Sequence, residues 1–274
     1  MKYEIFFKKQ LALIERELRS SLRARQTRPL SIHRAMRYAA FTGGKRFRPV
    51  LVLMACESCG GKPQDAILGA LAIELIHTYS LVHDDLPALD NDAMRRGKPA
   101  CHKKFGEANA ILAGDALLTL AFEWLSGIQP AARAVRILRE IATAAGVRGM
   151  IGGQVADLES SDKKKTLAEH NFISRFKTGS LIRVSALTGA LAAGATAREL
   201  KNMIRYGECL GLAFQVTDDI LDQDGYCRIL NKTQAVRKAV RLITKAKKAV
   251  EGFGARARPL VFLADFLMQR IAHE

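Results

Sequence analysis

"AILGALAIELIHTYSLVHDDLPALDNDAMRRG", residues Ala66–Gly97, joins an apolar run to a cluster of charges. From Ala66 to Val82 apolar residues fall on all sides of a helical wheel, as in a helix buried around most of its surface. Asp84 and Asp85 end the run. Pro87 prevents regular continuation, so the chain can turn and bring Asp90 back toward Asp84. Arg95, Arg96 and Gly97 follow at once.

The same reading extends in both directions. Helical periodicity recurs from end to end, while alternating strand patterns between turn clusters are nearly absent. Helices are predicted over 3–24, 31–41, 47–59, 63–85, 107–126, 130–150, 166–193, 197–223, 232–250 and 255–272. The breaks coincide with Gly and Pro in "TGGKRFRP", "CGGKP", "SGIQP", "GMIGGQ", "AAGAT" and "GFGARARP". No linker or repeat divides the chain, so residues 1–274 read as one all-α domain.

Composition narrows the function classes. Apolar residues make up 49 % and charged residues 26 %, ordinary for a soluble protein, but the net charge is +16. Such a surplus points to nucleic acid, an anionic membrane surface or a small polyanion. No nucleic-acid motif or basic–aromatic patch accompanies it. Cys56 and Cys59 form a CxxC pair without a second pair or histidines at zinc spacing, so they read as small buried residues. The charged N-terminus lacks a signal-peptide core, and no long charge-free apolar run occurs. A reduced, cytoplasmic protein without a transmembrane segment is expected.

A second acidic cluster lies far downstream, in "FQVTDDILDQDG". Asp218, Asp219 and Asp222 share one helical face, with Gln215 one turn earlier. Like charges at this spacing destabilise a helix unless neutralised. Both clusters sit in apolar sequence, unlike a solvated acidic face. Together they point to a shared divalent-cation site with all-oxygen ligands, which selects a hard ion such as Mg²⁺ bridging to substrate phosphates. The basic groups then have a role. Lys45, Arg46 and Arg48 in "GGKRFRP", Arg95 and Arg96, and Lys177 with Thr178 in "FKTGS" suit a diphosphate on the sides that metal leaves bare.

These motifs, with "GGQVADL" between them, resemble those of the trans-isoprenyl diphosphate synthases, of the short-chain bacterial farnesyl diphosphate synthase type. They keep that family's order and spacing from about residue 38 to 232. The first aspartate motif is the DDxxxxD variant and the second is DDxxD. The resemblance implies a helical bundle around a deep cavity, a homodimer, and head-to-tail condensation of isopentenyl diphosphate with an allylic diphosphate. It implies Mg²⁺, three ions, with Asp84, Asp90 and Asp218 as principal ligands and Asp85, Asp219 and Asp222 beside them. Lys45, Arg48, His77 and Arg96 match the isopentenyl diphosphate site. Arg95, Lys177, Thr178 and Gln215 match the allylic side. Tyr79 and Ser80 match positions that limit chain length, Tyr79 lying about 7–8 Å down the helix from Asp84. Farnesyl diphosphate is the expected product, with geranylgeranyl diphosphate as the alternative.

One segment departs from the family. A second lysine and a Thr-Tyr-Pro turn normally follow the second motif. Here "LDQDGYCRILNKTQAVRKAV" leaves only Lys232 to cover the diphosphates, and a basic helix starts at once. Asn91 also replaces a common Asp, outside DDxxxxD. A terpene cyclase is opposed by Lys45, Arg48 and Arg96, and a non-catalytic prenyltransferase subunit by the two intact aspartate motifs.

Overall fold

The computed structural model describes residues 2–22, 28–160 and 164–272. The chain runs as α1 (Lys2–Ser21), α2 (Leu30–Ala40), α3 (Phe47–Ser58), α4 (Pro63–Asp84), the strand pair β1 (Met94–Arg95) and β2 (Lys98–Pro99), α5 (Cys101–Phe105), α6 (Glu107–Ser126), α7 (Ala131–Ala145) and α8 (Met150–Glu159). Then come α9 (Leu167–Ile173), a π-helical turn (Ser174–Gly179), α10 (Ser180–Ala192), α11 (Ala197–Asp222), α12 (Tyr226–Leu230), α13 (Lys232–Val250), a 3₁₀ segment (Glu251–Ala257) and α14 (Arg258–Ala272). The architecture is all-α, as the periodicity predicts. Residues 23 and 24, the end of the predicted first helix, lie outside the described residues.

The centre is apolar helix against apolar helix. α4 packs on α3 and α6, α10 on α3 and α11, and α11 on α13. Ile73, Leu75 and Ile76 of α4 are fully buried, each contributing about 1.5–3 kcal/mol. By length and composition α4 and α6 could cross a membrane, yet α4 spends its apolar surface inside this core. The CxxC pair falls at the end of α3, where the Cys56 thiol is buried and donates to the Lys62 carbonyl at 3.3 Å.

The start and stop of α4 place the first motif. Pro63 stands at its first turn, and the Asp65 carboxylate accepts the Lys62 N–H at 2.8 Å. After Asp84 the chain folds back as Pro87 requires, and the Asp90 N–H donates to the Asp84 carbonyl at 2.9 Å. The short hairpin follows. Arg96 (φ 52°) and Gly97 (φ 75°) both take positive φ between the paired strands, the geometry of a tight two-residue hairpin turn.

Two differences from the predicted helices bear on the site. The predicted 130–150 helix stops at Ala145, and a new helix, α8, starts at Met150 where "GMIGGQ" reads as a break. Gly153 is inside α8 because a Cβ there would meet the Lys177 backbone nitrogen at 2.1 Å. The predicted 166–193 helix is continuous but loosens into the π turn, a distortion that favours functional sites. It carries Lys177 and Thr178.

Candidate active site

Two cavities open side by side between these helices. One, of about 640 Å³, is lined by Lys45, Arg46, Arg48, His77, Arg95 and Arg96, and also by Glu74, Asp218 and Arg270. The other, of about 680 Å³, is lined by Asp157, Lys165, Lys177, Asp219, Asp222 and Arg228, among others. Thr178 and Gln215 line both. The Thr178 hydroxyl donates to Gln215 Oε1 at 2.8 Å, so one hydrogen bond marks where the chambers meet.

The first chamber is short of negative charge. Arg48 is half-buried, and its guanidinium is lowered to about 10 chiefly by desolvation, against Glu74 and Asp218, with Arg96 adding repulsion. Its Nε has no hydrogen-bond partner among the described residues. Burial and the neighbouring Arg48, Arg96, Arg46 and Arg95 push His77 well below its usual range, so it is neutral. His77 Nε2 lies 3.2 Å from Arg48 Nη1 and accepts from it. Burial, with repulsion from Arg46 and Arg95, likewise lowers Arg96, which donates to the Gly43 carbonyl. Such cations need an anion that the chain itself does not supply.

Arg46 has a different fate from its neighbours. It takes φ 48° and turns inward, donating to Glu15 at 2.8 Å, Glu74 at 2.7 Å and the Ala40 carbonyl at 2.6 Å. These bonds tie α1, α2 and α4 beneath the chamber, so Arg46 builds the site while Lys45 and Arg48 face it.

The aspartates divide into exposed and committed groups. Asp84, the last residue of α4, is half-buried and Asp90, in the turn after it, is exposed; neither is among the residues lining the two chambers. Burial, opposed by Lys177 and reinforced by Asp90, raises the Asp84 carboxyl to about 6. Asp85 is 2 % exposed and accepts from Arg95 through Nε at 2.9 Å and through Nη2. Arg95 also bonds Asp92 at 3.2 Å, and it lies on the chamber with Arg48 rather than the one with Lys177. On α11, Asp218 is raised chiefly by burial and accepts from Arg270 Nη2 at 2.6 Å. Asp219 accepts from the Tyr226 N–H at 2.8 Å and from Gln215 Nε2 at 2.7 Å, with His170 Nε2 2.7 Å away. Asp222 lines the second chamber, whereas Lys232 starts α13 exposed and outside both chamber walls.

Several site residues escape the sequence reading. Asp157, inside the "GGQVADL" motif, accepts from Lys177 Nζ at 2.7 Å and from Lys165, fixing both lysines. His170 packs edge-on against Tyr226 with ring centroids 4.3 Å apart. Arg270 reaches in from the end of α14 and covers the Phe214 ring at 5.4 Å, with buried Nε and Nη1 unpartnered among the described residues. His170 and Arg270 have no local signal, because their partners Asp219 and Asp218 lie 49 and 52 residues away, whereas Asp157 pairs with lysines 8 and 20 residues further on.

The donor set suits Mg²⁺. Its free acidic groups are carboxylates alone, and those of Asp84 and Asp218 are both held above their ordinary range. No three acidic, His or Cys groups converge into a closed cage among the described residues. Mg²⁺ takes one or two carboxylates together with waters and substrate phosphates, so an open arrangement is the fitting one.

The fold is an all-α bundle with two adjoining cavities, one lined mainly by cations and the other bordered by Asp219 and Asp222 of the second aspartate motif. The sequence model described as polyprenyl synthetase matches residues 30–236, and the chain belongs to that family. The chain is 42 % identical over 266 residues to geranylgeranyl pyrophosphate synthase 4 of Arabidopsis thaliana, covering 88 % of this chain and 72 % of that one. It is 48 % identical over 201 residues to the farnesyl diphosphate synthase of Geobacillus stearothermophilus, covering 72 % and 68 %. The crystal structure of a geranyltransferase from Legionella pneumophila superposes with a TM-score of 0.93 at 35 % identity, covering 99 % of this chain and 98 % of that one.

Proposed function

We propose that this protein is a short-chain trans-prenyltransferase that condenses isopentenyl diphosphate head-to-tail with dimethylallyl or geranyl diphosphate. The observation that carries the reading is the pair of chambers meeting at Thr178 and Gln215. One is cationic and the other is bordered by an aspartate motif. Two diphosphates can bind with their reactive ends close, which is the geometry that a condensation needs.

Isopentenyl diphosphate occupies the first chamber, where Lys45, Arg48, Arg96 and neutral His77 donate to its oxygens. Its diphosphate supplies the negative charge that these groups lack, and Arg270 stands ready on the same wall. The allylic diphosphate lies on the other side. Lys177, Thr178 and Gln215 hold it, with Asp84, Asp90 and Asp218 as principal metal ligands and Asp85, Asp219 and Asp222 supporting them. Asp85 and Asp219 act largely through Arg95 and Gln215, which they orient. Mg²⁺ held by these carboxylates, proposed as three ions, would supply the charge that lets the allylic C–O bond ionise. Phe47, Leu81 and Phe214, which line the first chamber, are the apolar surface that would shield the allylic cation from water until the isopentenyl π bond attacks. The proton lost afterwards passes to the departing pyrophosphate, because the carboxylates of the site are engaged with metal or arginine.

Farnesyl diphosphate is the proposed main product. Tyr79 is 6 % exposed on α4 with its ring against that of His83, and its place five residues before Asp84 supports a floor role. Geranylgeranyl diphosphate is the second reading. The Tyr79 hydroxyl has no partner among the described residues, and small Ser80 lies beside it, so the floor has little to fasten it. Incubation with isopentenyl diphosphate, each allylic primer and Mg²⁺, followed by product chromatography, tests both. Absence of any elongated diphosphate rejects prenyl transfer.

We also propose a cytoplasmic homodimer. Exposed Ile111 (45 %) and Leu112 (56 %) on α6 support an interface between two copies. Analytical ultracentrifugation showing a monomer at micromolar concentration counts against it.

A further inference from the structure

Only residues 223–231 connect α11 to α13, so the cover of the second chamber is the five-residue α12. That helix is fixed in place. Gly225 enters it with φ 48°, and a Cβ there would stand 2.0 Å from Asp219 Oδ2. The Tyr226 N–H donates to the same oxygen, and its hydroxyl donates to Asn171 Oδ1 at 2.7 Å. His170 lies against one part of the Tyr226 ring, and Lys238 lies 4.7 Å from its centroid. A pinned helix of this kind holds its outer residues over the second aspartate motif.

Arg228 is the cation that α12 presents there. It lines the chamber with Asp222, Lys165 and Lys177. Lys165 and Lys177 are already committed to Asp157, while Lys164 lines the same chamber from the segment before α9. Arg228 instead pairs with Asp224 through Nε at 2.9 Å, where the side chains are 75 % and 57 % exposed. An exposed pair one helical turn apart is weak and easily exchanged. A guanidinium freed from it can grip two oxygens of a diphosphate at once. Lys232, by contrast, projects from the start of α13 beyond the chamber wall.

We infer that Arg228, rather than Lys232, covers the allylic diphosphate in this chain, exchanging Asp224 for the phosphate oxygens that metal leaves bare. The inference rests on the prenyl-transfer reading above, and its test separates the two. Binding of inorganic pyrophosphate with Mg²⁺ is measured by calorimetry for wild type, Arg228→Gln, Arg228→Lys and Lys232→Gln. The KM for each substrate is measured alongside. Loss of a charge-assisted hydrogen bond should weaken pyrophosphate binding and raise the allylic KM about tenfold in Arg228→Gln, with the isopentenyl diphosphate KM moving less than about twofold. Arg228→Lys should recover part of the loss, and Lys232→Gln should lose less than Arg228→Gln. An unchanged Arg228→Gln, an equal rise in both KM values, or a larger loss in Lys232→Gln overturns the inference and leaves prenyl transfer standing. A wild-type protein that binds no pyrophosphate with Mg²⁺ overturns both.

Discussion

Replacing Asp84 by Asn separates the cost of a buried carboxylate from its use. Burial, with Asp90 and Asp85 adding like charge against Lys177 and Arg95, lifts this carboxyl from 3.8 to about 6. At about 1.4 kcal/mol per unit the shift corresponds to at most about 3 kcal/mol. Partial exposure and solvent screening bring the working figure to about 1–3 kcal/mol. The sign follows from which state binds the proton. In metal-free protein near pH 7.5 the group is ionised both folded and unfolded, and the folded state disfavours that charge. Asp84→Asn should therefore be more stable than wild type by about that amount. As pH falls through about 6 the folded wild type takes up a proton first, and the gap narrows. Below about pH 4 the unfolded chain is protonated too, and the gap closes. Urea unfolding in the presence of a chelator, at three pH values, reads this directly. Adding Mg²⁺ and pyrophosphate should reverse the order, since only wild type keeps the ligand. A variant less stable than wild type at neutral pH without metal, or a gap that ignores pH, would refute the reasoning.

Three further outcomes are expected. Arg48→Ala and Arg96→Ala should each raise the KM for isopentenyl diphosphate roughly tenfold or more, the worth of a charge-assisted hydrogen bond; initial-rate kinetics with that substrate varied check it, and unchanged values reject the first chamber as its site. Gly225→Ala should cost about 1–3 kcal/mol in urea unfolding, because the new methyl meets the Asp219 carboxylate in a left-handed backbone. A wild-type midpoint would show that α12 is not pinned to Asp219. Tyr79→Ala should shift products from farnesyl toward longer chains, and identical product lengths on chromatography would remove Tyr79 as the floor.

What the sequence discloses here is what local physics governs. Pro63 and Pro87 bracket α4, and apolar periodicity places the central helices, so the two aspartate motifs are legible as helix-end clusters. The π turn around Lys177 is not, because inserting one residue barely disturbs an apolar pattern twenty-eight residues long. The glycines of "GMIGGQ" mislead for a physical reason. Gly153 is required by the close approach of α8 to the Lys177 backbone, a tertiary contact that looks locally like a helix break. His170 and Arg270 join the site over separations of 49 and 52 residues, which no spacing rule reaches. Composition and spacing do not separate Arg46 from Arg48 in "GGKRFRP", where the family resemblance selects Arg48, and in the fold the left-handed turn at Arg46 sends that residue into the core.

The central claim is that two diphosphates react across the Thr178–Gln215 boundary, one losing its pyrophosphate as the other adds. Simultaneous measurement of pyrophosphate release and isopentenyl unit incorporation, with Mg²⁺ and both substrates present, tests it most directly. One pyrophosphate released for each isopentenyl unit joined to the allylic chain is the expected result. Pyrophosphate released without incorporation, or no release until the isopentenyl diphosphate is omitted, would contradict it.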